Sequence, residues 1–258
     1  MTVNRNWLAP LGLALWSMTG MTAWAAPPFL TDDPEPVELH HFEVYLAGTY
    51  SGYKAGYFST LPQFEINYGP AKNLQISLTS QMVIANPTGG TTQYGYGDTL
   101  VGAKYRFIQE TRSSPQVSIY PQMTLPTGDL ARGLGQGQST FFLPIWMQKS
   151  FGPWTAIGGG GYWSNPGIGN RNYWYTGVLL QRQVTKRLNL GGEFFYISAQ
   201  TFGGVSQAGI NFGGTYDFDE IHHLLFSAGN DVYGSGKGLA YLGYGWTWGP
   251  KEAGPEKP

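Results

Sequence analysis

From residue 42 onward, apolar and polar side chains alternate along the chain with a period of two. Phe42, Val44, Leu46 and Tyr50 alternate with Glu43, Tyr45, Ala47 and Thr49, and Phe64, Ile66 and Tyr68 with Gln63, Glu65 and Asn67. The same holds for Leu74–Met82, Val101–Phe107 and Val117–Leu125. Five consecutive segments on this template predict five β-strands, each with one apolar and one polar face. Seven more strands are expected near 140–149, 154–163, 173–183, 188–197, 206–217, 222–229 and 239–248. Within these, Trp146 and Arg182 fit neither face cleanly. The count is twelve, with an error of two. Strands of about 9 to 11 residues, apolar on one side only, are the length and pattern of transmembrane β-strands.

The connections carry the same message. Short links are expected at 69–73, 109–115, 151–153, 185–187 and 217–221, and longer ones at 51–56, 85–95, 127–138, 164–172, 199–204 and 230–238. Strict alternation of short and long links is the pattern of tight periplasmic turns and larger external loops. The expected architecture is therefore all-β, a closed antiparallel transmembrane β-barrel of about 12 strands spanning 41–248, with both termini on the periplasmic side.

Residues 1–25 read as a cleaved secretory signal peptide. Arg5 opens it, Leu8 to Trp16 form a short apolar stretch, and Ala23-Trp24-Ala25 offers small residues at −3 and −1 of a cleavage site. Residues 26–40 are proline-rich and acidic (Asp32, Asp33, Glu35, Glu38) and are expected as an extended periplasmic lead-in. Residues 249–258 read as a disordered periplasmic tail.

Composition narrows the function classes. Only 12% of residues are charged and 38 are glycine, against about 25% charged and roughly 7% glycine in soluble domains. A soluble β-sandwich would keep more surface charge, and 40 aromatic residues rule out intrinsic disorder. Fifteen basic residues against 16 acidic ones leave no positive field for nucleic acid. No cysteine is present for a disulfide or a thiolate metal site. No cofactor is expected. The tetraglycine 158–161 lacks the Lys-Ser/Thr ending of a phosphate loop and is expected at a close strand crossing or bend.

Several runs resemble the outer-membrane family named for the MetA pathway of phenol degradation. They are Thr31-Asp32-Asp33-Pro34, Leu61 to Pro70 (LPQFEINYGP), Gly97 to Phe107 (GDTLVGAKYRF), Leu125 to Asp129 (LPTGD), Leu143 to Pro153 (LPIWMQKSFGP) and Leu180 to Val184 (LQRQV). The resemblance implies an outer-membrane barrel that passes small, often aromatic or hydrophobic, compounds, with no catalytic residues to carry over. Ten residues follow Trp248, a departure from barrels that end on an aromatic recognised by the assembly machinery.

In a barrel the lumen-facing side chains choose what passes. The alternation puts Glu43, Glu65, Lys104, Arg106 and Glu193 inside, and a charge facing lipid at mid-bilayer would cost about 2 to 4 kcal/mol. Arg182 either joins them or lies near the periplasmic rim. These charges form either a mixed-charge constriction admitting small neutral solutes or ion pairs that merely brace the interior. Tyr45 and Tyr120 are candidate lumen aromatics for ring-shaped solutes. The 127–138 loop, with Asp129, Arg132 and four glycines, is read as a mobile external loop in preference to an inward gate. His40-His41 and His222-His223, with Ser227 and Asn230, offer the residue types of a lipase site. They map to periplasmic strand ends, the wrong side for outer-leaflet lipid, so no catalytic and no metal site is assigned. The expected function is an outer-membrane channel for small solutes, the alternative a non-conducting structural barrel, and a hydrolase comes third. Expected partners are outer-membrane lipids, small-molecule solutes and the barrel-assembly machinery.

Overall fold

The computed structural model describes residues 27–250, so the expected signal peptide and all but the first two residues of the tail lie outside the described residues. The strands are β1 (Phe42–Tyr53), β2 (Gly56–Ala71), β3 (Leu74–Pro87), β4 (Gln93–Tyr96), β5 (Thr99–Ile108), β6 (Gln116–Ile119), β7 (Gln122–Leu125), β8 (Thr140–Phe151), β9 (Trp154–Ser164), β10 (Tyr173–Gln183), β11 (Leu188–Ile197), β12 (Gln207–Asp217), β13 (His222–Tyr233) and β14 (Gly238–Trp248). Neighbouring strands pair antiparallel, and β1 pairs with β14 from Phe42↔Trp248 to Gly52↔Gly238, which closes the sheet into a barrel. Closure pairs the sheet on itself, leaving one edge of the short β4 without a strand partner; such pairing is the condition for crossing a bilayer with strands. Strands β4 and β5 both pair with β3, and β6 and β7 both pair with β5 and β8. Each of these couples is one barrel strand broken in the middle, so fourteen segments make the twelve strands expected.

Outward positions are apolar in every strand. Leu46, Phe64, Ile66, Ile76, Leu78, Leu143, Ile145, Met147, Val178, Leu180, Phe194, Phe212 and Leu242 are all exposed. Such a continuous apolar belt would be unstable in water and marks a lipid-facing surface. Aromatic rings border it at both ends. At the end carrying the two termini, Phe42 stacks on Tyr68 (4.4 Å) and on Trp248 (5.5 Å), and Tyr244 meets Trp246 edge-on (4.7 Å). At the far end Tyr50, Tyr94, Tyr96, Tyr162, Trp174 and Tyr233 are exposed. Two such girdles are where amphipathic rings sit at membrane–water boundaries.

Two expectations about links are corrected. The first far-end link is only Lys54-Ala55, because β1 and β2 continue their pairing to Tyr53↔Gly56. The terminal-end link 109–115 is longer than that far-end link, so strict short–long alternation does not hold around the whole barrel. Glu110 fixes the 109–115 link by accepting from Lys149 Nζ and the Ser150 N–H, both at 3.0 Å. A link tied down in this way needs no shortness to be rigid.

The lead-in is the larger correction. Residues 28–34 do not hang outside the barrel; Phe29, Leu30, Thr31 and Asp32 are 0–2% exposed, inside the lumen. Proline and acid content mimics a solvated arm, but here the acids meet charges that the barrel wall presents.

Candidate functional site

The lumen has two unlike walls. On β1, β2, β3 and β5 the inward positions are Glu43 and Tyr45, Gln63, Glu65 and Asn67, Gln75, and Lys104. Glu43 lies opposite Asn67 and Tyr45 opposite Glu65 in the β1–β2 register. Tyr45 Oη donates to Glu43 Oε2 (3.0 Å), and Asn67 Nδ2 donates to Glu65 Oε1 (3.0 Å). Lys104, 3% exposed, reaches inward from β5 opposite Gln75.

From β8 to β11 the inward positions are mostly aromatic or aliphatic, with Glu193 the one buried charge among them. Phe142 stacks on Trp163 (4.6 Å), Trp163 on Tyr173 (5.8 Å), and Trp146 meets Tyr175 edge-on (6.0 Å). Trp146 and Phe195 are fully buried. The tetraglycine makes this wall possible. Gly159 lies opposite Trp146, and a Cβ there would stand 2.1 Å from the Ile145 carbonyl oxygen and 2.8 Å from the Trp146 ring. The run is thus a place of close approach between strands.

The segment 27–40 spans the two walls. Phe29 packs with Ile157 and Leu179 on the apolar side. Gly191 leaves it space, since a Cβ there would lie 3.1 Å from the Phe29 ring. The N–H groups of Leu30 (3.1 Å) and Thr31 donate to the two carboxylate oxygens of Glu193, and Asn211 Nδ2 adds a third donor (3.2 Å). Ser227 Oγ donates to the Pro28 carbonyl oxygen. On the polar side Lys104 Nζ lies 2.9 Å from Asp32 Oδ1 and 3.5 Å from Asp33 Oδ1. Further along, the Val37 N–H donates to Gln75 Oε1 (3.0 Å). The segment forms no strand of its own; most of its contacts are with side chains of the wall, joined near its end by the His40 N–H donating to the Gly69 carbonyl oxygen (2.7 Å).

Each candidate can now be placed. Glu43, Glu65, Lys104 and Glu193 face the lumen. Lys104 and Glu193 engage the inserted segment and not one another. Arg106 sits near the terminal-end rim, donating to Gln116 Oε1 (2.9 Å) and Asn73 Oδ1 (3.1 Å), with Glu35 at 3.5 Å. Tyr45 and Tyr120 face the lumen among polar partners; Tyr120 Oη donates to Ser77 Oγ (2.9 Å) and its ring lies 5.1 Å from Lys104 Nζ. The ring-lined surface is formed instead by Phe142, Trp146, Trp163, Tyr173, Tyr175 and Phe195. Aromatics two or four apart in β8 and β10 were its signal in the sequence.

Of its two expected places Arg182 takes the rim and not the lumen. It follows Trp174, Val178 and Leu180 on the outward face, is exposed near the terminal-end rim, and lies 5.2 Å from the Trp154 ring. Its aliphatic stem covers apolar surface while the guanidinium stays at the boundary, so no charge is left in lipid. Histidines 222 and 223 open β13 at the same end, and His223 Nδ1 lies 2.7 Å from Asp217 Oδ1. Among the described residues, no group of three or more His, Asp or Glu is arranged to hold a metal.

The 127–138 loop is also corrected, because it folds inward. Leu134 is 1% exposed and packs with Phe58, Val83 and Ala85. Asp98, buried at the break between β4 and β5, accepts from the Gly128 N–H (2.9 Å) and the Gln136 N–H (2.7 Å). Arg132 Nη2 donates to the Tyr94 carbonyl oxygen (2.8 Å). Beside β13, burial pushes the Lys237 ammonium down to about 8, although Asp231 opposes the shift.

At the terminal end the lumen opens into a cavity of about 950 Å³, bordered by Glu43, Tyr45, Glu65, Asn67, Lys104 and Ile157 together with Asp33, Glu35 and Glu38 of the inserted segment.

No protein-family model matches the chain, and no curated protein matches it. Among solved structures, an outer membrane channel from Pseudomonas putida F1 has a TM-score of 0.62 at 14% identity, covering 84% of this chain and 98% of that one. The KdgM porin in complex with disordered oligogalacturonate has a TM-score of 0.57 at 10% identity, with coverages of 80% and 99%. The translocator domain of autotransporter NalP from Neisseria meningitidis follows at 0.51 and 12%, covering 80% of this chain and 88% of that one. The fold is that of an outer-membrane β-barrel. Identities this low speak for the fold alone.

Proposed function

We propose that the protein is an outer-membrane channel for passive passage of small solutes, hydrophobic or aromatic ones among them, and that it is not an enzyme. The carrying observation is the lumen itself: a closed barrel whose interior is filled, from Pro28 to Pro34, by a segment that contains no strand of the sheet. Twelve strands enclose more space than the 8-stranded barrels that side chains fill. Displacing the segment would open a path between an aromatic wall and a polar one, which suits a ring carrying a polar group. Two of the structural neighbours are described as a channel and a porin, which supports this reading. The terminal end would then face the periplasm, in keeping with placement in the bacterial outer membrane. The resemblance to the MetA-pathway family agrees with the solute class.

The rival reading, a permanently plugged structural barrel, is favoured by one observation, the complete burial of Asp32 against Lys104. Solute entry into liposomes separates the two. Refolded protein should admit a neutral phenolic compound faster than protein-free vesicles do, and Glu193→Gln should speed entry further. If neither the native chain nor the variant admits any solute, while circular dichroism shows folded β-sheet, the channel reading fails.

A further inference from the structure

We propose that the terminal-end cavity is a subsite for small organic cations, solutes that carry an ammonium group on an apolar body. The four side chains Glu43, Tyr45, Glu65 and Asn67 form one patch on the lumen face of β1 and β2, and all four border the cavity. The Tyr45 O–H and one of the two Asn67 Nδ2 hydrogens are used inside the patch. Most of what remains is acceptors. Asn67 is 4% exposed, yet its Oδ1 has no hydrogen-bond partner among the described residues, and the Asn189 Oδ1 across the cavity is in the same state. A buried amide oxygen without a donor costs about 1 to 3 kcal/mol, so a ligand that brings N–H donors recovers that loss.

Charge points the same way. Among the described residues no lysine or arginine lies within ion-pairing distance of Glu43 or Glu65, since Lys104 is committed to Asp32 and Asp33. An anion entering here would meet carboxylates, and a neutral ring with a single hydroxyl could satisfy only one of the two acceptors. A bare metal ion fits poorly, because no compact ligand group is present among the described residues. The volume of about 950 Å³ lies in the range of pockets for organic ligands, and Tyr45 and Ile157 supply apolar surface for the body of the molecule.

The inference rests on the channel reading only for passage; binding can be read without it. Titration calorimetry at low salt on the detergent-folded chain should show 2-phenylethylammonium binding at least tenfold tighter than phenylacetate or 2-phenylethanol. Glu43→Gln with Glu65→Gln should weaken it tenfold or more. Asn189→Lys, which adds a cation at the cavity wall and breaks no hydrogen bond of the Asn189 Oδ1, should do the same and covers the case in which the double variant fails to fold. Equal binding of the three probes, or native affinity in the folded variants, overturns the subsite. Amine binding without liposome entry counts against the channel alone; phenol entry without amine binding counts against the subsite alone.

Discussion

The β1–β5 wall and the β8–β11 wall of the lumen obey the same period-two rule, but they do different work. Inward positions of the first carry Glu43, Glu65, Gln75 and Lys104; those of the second carry Phe142, Trp146, Trp163 and Tyr175. The apolar wall is complete in itself, with rings stacked on rings from neighbouring strands. The polar wall is not, for Lys104 finds its counter-charge only in Asp32 and Asp33. A buried charge without a partner is costly, so the polar wall recruits the inserted segment. The apolar wall offers it a place for Phe29 and, at Glu193 alone, an acceptor for the Leu30 and Thr31 N–H groups. Damage to the two should therefore show in different observables.

The largest effect is expected at Lys104. Lys104→Met leaves Asp32 buried without its partner, at a cost of about 3–5 kcal/mol. The segment should leave the lumen, with solute entry rising tenfold or more and protease cleavage appearing within 27–40. Adding Asp32→Leu should restore the block, because neither side then carries a buried charge. A leak-free single variant would show that the segment does not depend on the polar wall. On the other wall, Trp146→Ala should cost a comparable ~3–5 kcal/mol through lost packing. Here the loss should appear as a lower unfolding temperature in detergent, with little change in permeability.

Glu193 belongs to the apolar half by position and to the plug by contact, so its variant sharpens the comparison. Glu193→Gln weakens the bonds to the Leu30 and Thr31 N–H groups; bonds to a charged group contribute roughly 1.5–3 kcal/mol. Solute entry should increase less than in Lys104→Met. At the far end, Asp98→Ala removes the acceptor of the Gly128 and Gln136 N–H groups. Trypsin should then cut after Arg132 several times faster, while the segment 27–40 stays protected. The smallest effect is at Lys237, whose folded value of about 8 lies below the ordinary 10.5. Between these values the unfolded loop binds more protons than the folded one, so stability rises with pH from about 8 to about 10.5. Hydrogen exchange at Gly234–Lys237, corrected for its intrinsic pH dependence, should slow across that window, and Lys237→Met should abolish the trend.

Strand existence and facing were readable because the period-two pattern is local: each residue's face follows from its neighbour's. That is why Glu43, Glu65, Lys104 and Glu193 could be placed inside from the chain alone. Arg182 escaped the rule because near a rim a long cation can lie on the outer face and still reach water. Trp146 looked misplaced only while the lumen was taken to be polar throughout, and the glycines of β9 are what admit it. The loop 127–138 read as mobile because its glycines favour no structure locally, whereas Leu134 and Asp98 fix it through contacts distant in sequence.

The amino-acid order by itself determined a closed β-barrel, its strand number and which side chains face lipid, because lipid and lumen sort residues one at a time. Only the tertiary structure decided what fills the lumen. Glu193 is 163 residues from Leu30 and Lys104 is 72 from Asp32, and no local pattern encodes such meetings. They arise because burying a carboxylate or an ammonium is tolerable only beside its partner, and barrel closure brings those partners into reach.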